Sequence, residues 1–288
     1  MKTEPMRIIH TISELQILID RNKRGERTVG FVPTMGFLHE GHLALVEQAR
    51  AQNELVVMSI FVNPAQFGPG EDFEAYPRDT LLDSELAEQA GVDILFMPKV
   101  DEMYPSNGGI RIIPGSQATV LCGASRPGHF DGVLKVVLKL FNIVDPDRSY
   151  FGIKDAQQLA IIETFVRDFN LRTEIIRVPT VRETDGLAKS SRNVNLSESE
   201  RLEAPIIHKA LKKGTILFKK DMLRNEIEQE VSRYITSNSS GEIDYVTLLS
   251  YPALTPVDGT TDEVILACAV KFKNTRLIDN IIISTKDE

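Results

Sequence analysis

The chain has 288 residues, 42% of them hydrophobic and 26% charged, with a formal net charge of −8. This is the balance of an ordinary globular protein with a buried core, long enough for one large or two modest domains, and it excludes a disordered chain. The acidic balance also counts against a nucleic-acid partner, because phosphate backbones need a basic face, while a local basic pocket stays possible.

Cys122 and Cys268 form neither a CxxC pair nor a zinc spacing, so free buried thiols are expected and no metal site of that type. The opening MKTEPMRIIH lacks the apolar core of a signal peptide, and no apolar run approaches membrane length. A cytoplasmic protein without a membrane partner is expected.

In chain order, residues 11–24 read as a helix with Ile12, Leu15 and Ile19 on one face and Arg21, Lys23 and Arg24 at its basic end. A β-prone run, Thr28 to Val32, then passes through FVPTMGFLHEGH, Phe31 to His42, into LALVEQAR, where a helical period begins. Pro33 and Gly36 break the extended chain. Gly41, with no Cβ, lets another molecule approach the backbone where unpaired helix N–H groups suit a phosphate. His39 and His42 fall on one side of a helical turn. There they either donate to phosphate oxygens during nucleotidyl transfer or form a solvated or capping pair.

Leu55 to Val62, LVVMSIFV, reads as a parallel strand covered on both faces and stopped at Asn63-Pro64. Ligands of open α/β sheets gather beyond the carboxyl ends of strands, so the amides of Asn63 and Gln66 stand where a small hydroxy acid would be held. An Asx turn with an exposed glutamine is the alternative. A helix at Leu81–Ala90 and a strand at Val92–Met97 follow, then turns at Asn107-Gly108-Gly109 and Pro114-Gly115. RPGHFDG, Arg126 to Gly132, leads into a helix bearing Val133, Val136, Val137, Leu140 and Phe141. Arg126 either clamps an anion with its planar fork or braces the loop, and His129 reads as structural.

Ser149–Gly152 reads as a short strand, and Ala156–Phe169 as a helix with Leu159, Ile162, Val166 and Phe169 inward. Between them Gly152-Ile153-Lys154-Asp155 is a second nucleotide-loop candidate, combining a backbone open to phosphate with a lysine charge. Glu174–Pro179 closes an alternation of strands and helices that implies an α/β, doubly wound, Rossmann-like parallel sheet. In LAKSSRN, Leu187 to Asn193, the hydroxyls and cations of Lys189, Ser190, Ser191 and Arg192 can wrap a triphosphate, or simply face solvent. Ser197–Glu200 fits a capping box. Beyond it come helices at about 198–219 and 221–237 and strands at 243–249, 264–272 and 277–283 that pair antiparallel, a second, smaller α+β domain. The expected division is 1–180 and 181–288.

HEGH resembles the HxGH signature of adenylate-forming nucleotidyl transferases related to class I aminoacyl-tRNA synthetases, and LAKSSRN resembles their KMSKS-type loop. VPTMGFLHEGH, FVNPAQFGPGEDFEAYPR, RPGHFDG, FGIKDAQQLA and VRETDGLAKSSRN together, in this order, resemble the pantothenate synthetase family over most of the first two-thirds of the chain. The resemblance implies an ATP-dependent ligase that joins pantoate to β-alanine through a pantoyl adenylate, uses Mg²⁺ and works as a homodimer. It implies catalytic roles for His42, as proton donor, His39 and Lys154. ATP contacts are implied at Met35, Gly36, Phe37, Leu38, His39, Glu40, Gly41, His42, Gly152, Ile153, Lys154, Asp155, Val181, Lys189, Ser190, Ser191 and Arg192. Gln66 and Gln158 would hold pantoate, with Gln66 near β-alanine, and Asn63 and Arg126 would join them on substrate. Asp72 and Arg78 match the same blocks with only a loop-ordering or ion-pairing role.

This chain departs from the family pattern at Ile153, which replaces a glutamate, and at Asn195, where an aromatic is common. Two other readings stand beside the ligase. A different HxGH nucleotidyl transferase, such as one making a dinucleotide cofactor, would lack Gln66 and Gln158 in these contexts. A non-catalytic nucleotide-binding regulator would be free to lose His39, His42, Lys154 and the KSSR loop, all of which are intact.

Overall fold

A computed structural model describes residues 5–71, 73–106, 109–258 and 260–286. Asp72 and the Asn107-Gly108 part of the expected turn lie outside the described residues. The chain opens with β1 (Arg7–Ile9), α1 (Ile12–Lys23), β2 (Val29–Thr34), α2 (Glu40–Gln52), β3 (Leu55–Ile60), α3 (Thr80–Ala90) and β4 (Ile94–Phe96). It continues with α4 (Val100–Met103), α5 (Leu121–Ser125), α6 (His129–Val144), β5 (Arg148–Gly152), α7 (Ala156–Asp168) and β6 (Glu174–Val178). Last come α8 (Glu198–Glu203), α9 (Ile206–Phe218), α10 (Arg224–Asn238), β7 (Glu242–Tyr251), β8 (Glu263–Lys271) and β9 (Arg276–Ser284).

These elements form two compact units, one of Met1–Pro114, Arg126–Ile153 and Ile161–Pro179, the other of Gly115–Ser125, Lys154–Ala160 and Thr180–Glu288. The second therefore takes in two short segments, 115–125 and 154–160, that a single division at residue 180 gives to the first.

The first unit is built on a six-stranded parallel sheet in the order β1-β4-β3-β2-β5-β6, the doubly wound arrangement expected from the alternation. The apolar run Leu55–Met58 makes β3 a strand buried on both faces, and β3 stops at Ile60, just before Asn63-Pro64. After β2 the chain lays β3 and β4 on one side, then returns to place β5 on the other. The order thus reverses at β2/β5, and ligands in such sheets bind beyond the carboxyl ends of strands at this point. The loop after β2 carries the HxGH residues, and β5 ends at Gly152.

The second unit has a three-stranded antiparallel sheet, β7-β8-β9, covered on both faces. Alternation along β8 sends Leu266, Cys268 and Val270 into a core with Ile207 and Leu211 of α9 and Ile227, Val231 and Ile235 of α10. Ile265 and Ala267 pack instead with Leu121, Ala156 and Ala160. Cys122 and Cys268 are both buried and free.

Three local expectations change. The single helix expected over 198–219 is two, α8 and α9, broken at Ala204-Pro205 because proline has no N–H to continue the ladder. Phe169 is 58% exposed rather than inward: α7 ends at Asp168, and the chain turns at Asn170 with φ 53°, with the Phe169 ring 4.9 Å from that of Phe165. β1, an edge strand of three residues in which only Ile9 is buried, leaves too short a pattern to read. Among the described residues no helix is long and apolar enough to cross a membrane.

Candidate active site

The HxGH loop is held in shape by its own backbone and by one buried carboxylate. Thr34 Oγ1 donates to Ser59 O at 2.7 Å and accepts from Gly36 N at 3.2 Å. Gly36, at φ +87°, and Phe37, at φ 51°, take the left-handed conformations that reverse the chain into α2. Asp83 of α3, 2% exposed, accepts from Phe37 N at 2.8 Å and Leu38 N at 2.7 Å. Burial pushes its carboxyl above the usual range against the pull of these two N–H donors. A Cβ on Gly36 would stand 2.9 Å from both Asp83 Oδ2 and Ile60 Cγ2, so the bend is fitted to glycine.

Both histidines cap α2. His39, the N-cap, accepts from Gly41 N on Nδ1 at 3.1 Å, and His42 Nδ1 accepts from His39 N at 3.3 Å. A ring nitrogen that accepts a backbone N–H carries no proton, so each neutral ring has its N–H on Nε2. The rings lie 4.1 Å apart, tilted by 35°. The capping role weighed in the sequence is therefore present, and it sets the tautomer in which both rings are Nε2 donors.

Asn63 and Gln66 are both buried beyond the end of β3. Asn63 caps a 3-10 turn, Pro64–Gln66, accepting from Ala65 N at 3.2 Å, so the Asx turn is also real. Its Nδ2 donates to Gly132 O at 3.1 Å and to Gln66 Oε1 at 3.0 Å, while Tyr104 Oη donates to its Oδ1 at 2.8 Å. This relay turns the Gln66 amide so that Nε2 is the outward donor, 3.2 Å from Met35 Sδ in the HxGH loop. Burial holds the Tyr104 phenol up at about 12, so it stays a donor at neutral pH. The close fit extends to α6, since a Cβ on Gly132 would lie 2.1 Å from Ala65 O.

Arg126 has its fork engaged. Nε and Nη2 donate to Glu71 Oε1 and Oε2 at 2.8 and 2.6 Å, and Nη1 lies 3.1 Å from His129 Nε2. The pair holds the Glu71 carboxyl below the usual range. His129 Nδ1 in turn sits 2.7 Å from Gln66 O, so it braces the same turn. Arg78 orders its own loop by donating to the carbonyls of Phe73, Glu74 and Tyr76.

Ile153–Asp155 form a 3-10 turn that runs into α7. Lys154 Nζ is 3.6 Å from Asp155 Oδ1, and the Lys154 carbonyl accepts from Asn280 Nδ2 at 2.9 Å. Gln158 is half-buried; Gln157 beside it is buried, donating to the carbonyls of Gln117 and Val120. Gly152, at the end of β5, has open space where a Cβ would stand.

Residues 181–189 close a tight hairpin, with Lys189 N donating to Val181 O at 2.9 Å and Arg182 bridged to Ala188. Arg182 donates to both oxygens of buried Asp279, at 2.7 and 2.9 Å, and to Gly186 O at 3.1 Å. Lys189 pairs with Glu183 at 2.9 Å. Ser190 caps the following 3-10 turn by accepting from Arg192 N at 3.3 Å, and Ser191 is buried.

A family model described as Pantoate-beta-alanine ligase matches residues 7–282. A pantothenate synthetase of Lysinibacillus sphaericus is 58% identical over 282 residues, covering 98% of this chain and 99% of that protein. The chain belongs to the pantoate-beta-alanine ligase family. Among solved structures, pantothenate synthetase from Thermus thermophilus superposes with a TM-score of 0.90 at 44% identity, over 96% of this chain and 99% of that one. A Francisella tularensis pantoate-beta-alanine ligase complexed with beta-gamma ATP and beta-alanine has a TM-score of 0.80 at 33% identity, over 96% and 97%.

Within this ligase fold, contacts in the first unit join Met35, Asn63, Arg126 and His129 to Gln66, and in the second Arg182 and Lys154 each meet strand β9. Sequence reasoning passed over Asp83, Tyr104, Arg182, Asp279 and Asn280. An acid in the first turn of α3 reads as ordinary dipole compensation, and nothing in the sequence says that it reaches a loop 45 residues upstream. The one available signal was the polar pair Asp279-Asn280 within the apolar run Leu277–Ile283.

Proposed function

We propose that this chain condenses pantoate with β-alanine in two steps, using ATP as a substrate and releasing AMP and pyrophosphate. Family membership over nearly the whole chain supports the substrates, and the observation that carries the chemistry is the doubly capped HxGH turn with both imidazoles held as Nε2 donors.

A carboxylate resists amine attack because its carbonyl is electron-rich and oxide is a poor leaving group. The pantoate carboxylate therefore attacks the α-phosphate of ATP, and AMP becomes the leaving group. Gln66 Nε2, already oriented by Asn63 and Tyr104, donates to pantoate, and Gln158 supplies a second amide. The N-terminus of α2 and the Nε2–H groups of His39 and His42 stabilise negative charge on the phosphates as the bond breaks, with His42 as proton donor. Lys154, Ser190, Ser191 and Arg192 compensate charge on the departing pyrophosphate. Lys189 would have to leave Glu183 to join them. β-Alanine then attacks the pantoyl carbonyl, expelling AMP, with no covalent enzyme intermediate. Arg126 reaches substrate only if it gives up Glu71; otherwise its part is to brace the Gln66 turn.

Among the described residues no three of His, Cys, Asp and Glu gather to hold a metal ion. Mg²⁺, held by phosphate oxygens and water, would supply charge compensation there. A cytoplasmic homodimer is the accompanying expectation.

The test is isotope exchange between pyrophosphate and ATP with pantoate present and β-alanine absent. Exchange that depends on pantoate is expected; exchange only with a nucleotide or another acid would overturn the substrate assignment. His42→Ala should lower adenylate formation at least about tenfold with the fold intact. A parent-like burst in that variant would remove His42 from the mechanism.

A further inference from the structure

Two neighbouring residues of β9, Asp279 and Asn280, are polar between the apolar Leu277-Ile278 and Ile281-Ile282-Ile283. They are 4% and 7% exposed. A buried carboxylate is costly unless partners satisfy it, and apolar residues of similar size would make a less demanding strand. Their partners belong to the two loops assigned above to the nucleotide.

Asp279 takes both ends of the Arg182 guanidinium, at 2.7 and 2.9 Å, and its Oδ1 also accepts from Asn280 N at 2.8 Å. Arg182 in turn donates to Gly186 O, which closes the hairpin leading into Lys189–Arg192. Asn280 Nδ2 donates to Lys154 O at 2.9 Å. Successive side chains leave a strand on opposite faces, so this dipeptide reaches both loops at once. Its place is set by register with β8, Asp279 opposite Cys268 and Asn280 opposite Ala267.

We infer that Asp279 and Asn280 are positioning residues of the ligase reaction: acting through Arg182 and the Lys154 carbonyl, they set the placement of Lys154 against the Lys189–Arg192 loop without touching substrate. This rests on the reading that those loops take ATP. Asn280→Ala removes the tie to Lys154. Arg182→Lys keeps the charge and one contact to Asp279 but loses the fork that joins Asp279 to Gly186.

The experiment measures ATP binding at equilibrium for the parent and both variants, and then KM for ATP, pantoate and β-alanine separately, with circular dichroism and Tm as fold controls. Weakening of ATP binding by about tenfold is expected, with a matching rise in KM for ATP and little change in KM for β-alanine. Parent-like ATP binding in both folded variants would overturn the inference, as would an equal rise in all three KM values with a lowered Tm, the mark of a merely structural pair. If Asn280→Ala fails to fold, Arg182→Lys decides alone. A parent that binds no ATP would instead overturn the nucleotide reading, and this inference with it.

Discussion

The candidate residues of the two units are held in different ways. In the first, His39 and His42 cap α2 through partners two or three residues away, and Asn63 and Gln66 add to a similar local cap their ties to Tyr104, Gly132 and His129. In the second, the two loops are anchored to β9 across 97 residues at Arg182–Asp279 and 126 at Lys154–Asn280. A cap forms as its helix starts, so the two imidazoles take their orientation with the local fold. The second set has local closures too, at Val181–Lys189 and Ser190–Arg192, but its ties to β9 leave it open to adjustment from remote positions.

The largest expected effect breaks the first region where its local order depends on close packing. Gly132→Ala would put a Cβ 2.1 Å from Ala65 O and 2.6 Å from Gln66 Cα, both backbone, and would displace Asn63 Nδ2 from Gly132 O. Because neither backbone can give way cheaply, a loss of about 3 kcal/mol is expected, read from urea unfolding. A parent-like midpoint would mean that the Pro64–Gln66 turn is far softer than its hydrogen bonds imply.

A smaller effect sharpens the same comparison. Tyr104→Phe deletes the donor to Asn63 Oδ1 while Ala65 N still caps that atom, so the turn survives and only the amide relay to Gln66 loosens. A net hydrogen bond is worth about 1 kcal/mol, so KM for pantoate should rise roughly fivefold with ATP binding unchanged. If KM for ATP moved instead, the relay would not be orienting a pantoate-binding amide.

What could be read from the sequence follows the same division. The parallel sheet was legible because LVVMSIFV and its neighbours form long, one-character segments, and the HxGH turn because glycine, proline and capping residues lie side by side. The break at Pro205 was legible in principle, since proline ends a ladder, but the amphipathic pattern continues through it. Arg126 shows the limit most clearly. Its planar fork marks it as an anion clamp, yet which anion it holds depends on Glu71, 55 residues away, a pairing no local pattern encodes. Asp83, Tyr104 and Asp279 were passed over for the same reason: each acts through a backbone or side-chain partner brought near only by the fold.

The smallest effect tests the second region through His208 of α9. Burial first, then the Arg182 charge, lowers its pKa, while Asp279 pulls the other way and Lys212 adds to the lowering. The 3.8 Å approach of His208 Nδ1 to Asp279 is thus made by a neutral ring at neutral pH and is not an ion pair. For a histidine lowered on folding, the unfolded chain binds the proton more readily. Its contribution to stability is fully present above the unfolded value, about 6.5, and is lost as the pH falls through that value towards the folded one. Between pH 8 and pH 5.5 the urea midpoint of the parent should therefore fall further than that of His208→Gln, whose amide cannot take the charge. Equal pH slopes would show that His208 ionises alike in the folded and unfolded states, against the lowering that burial and Arg182 impose.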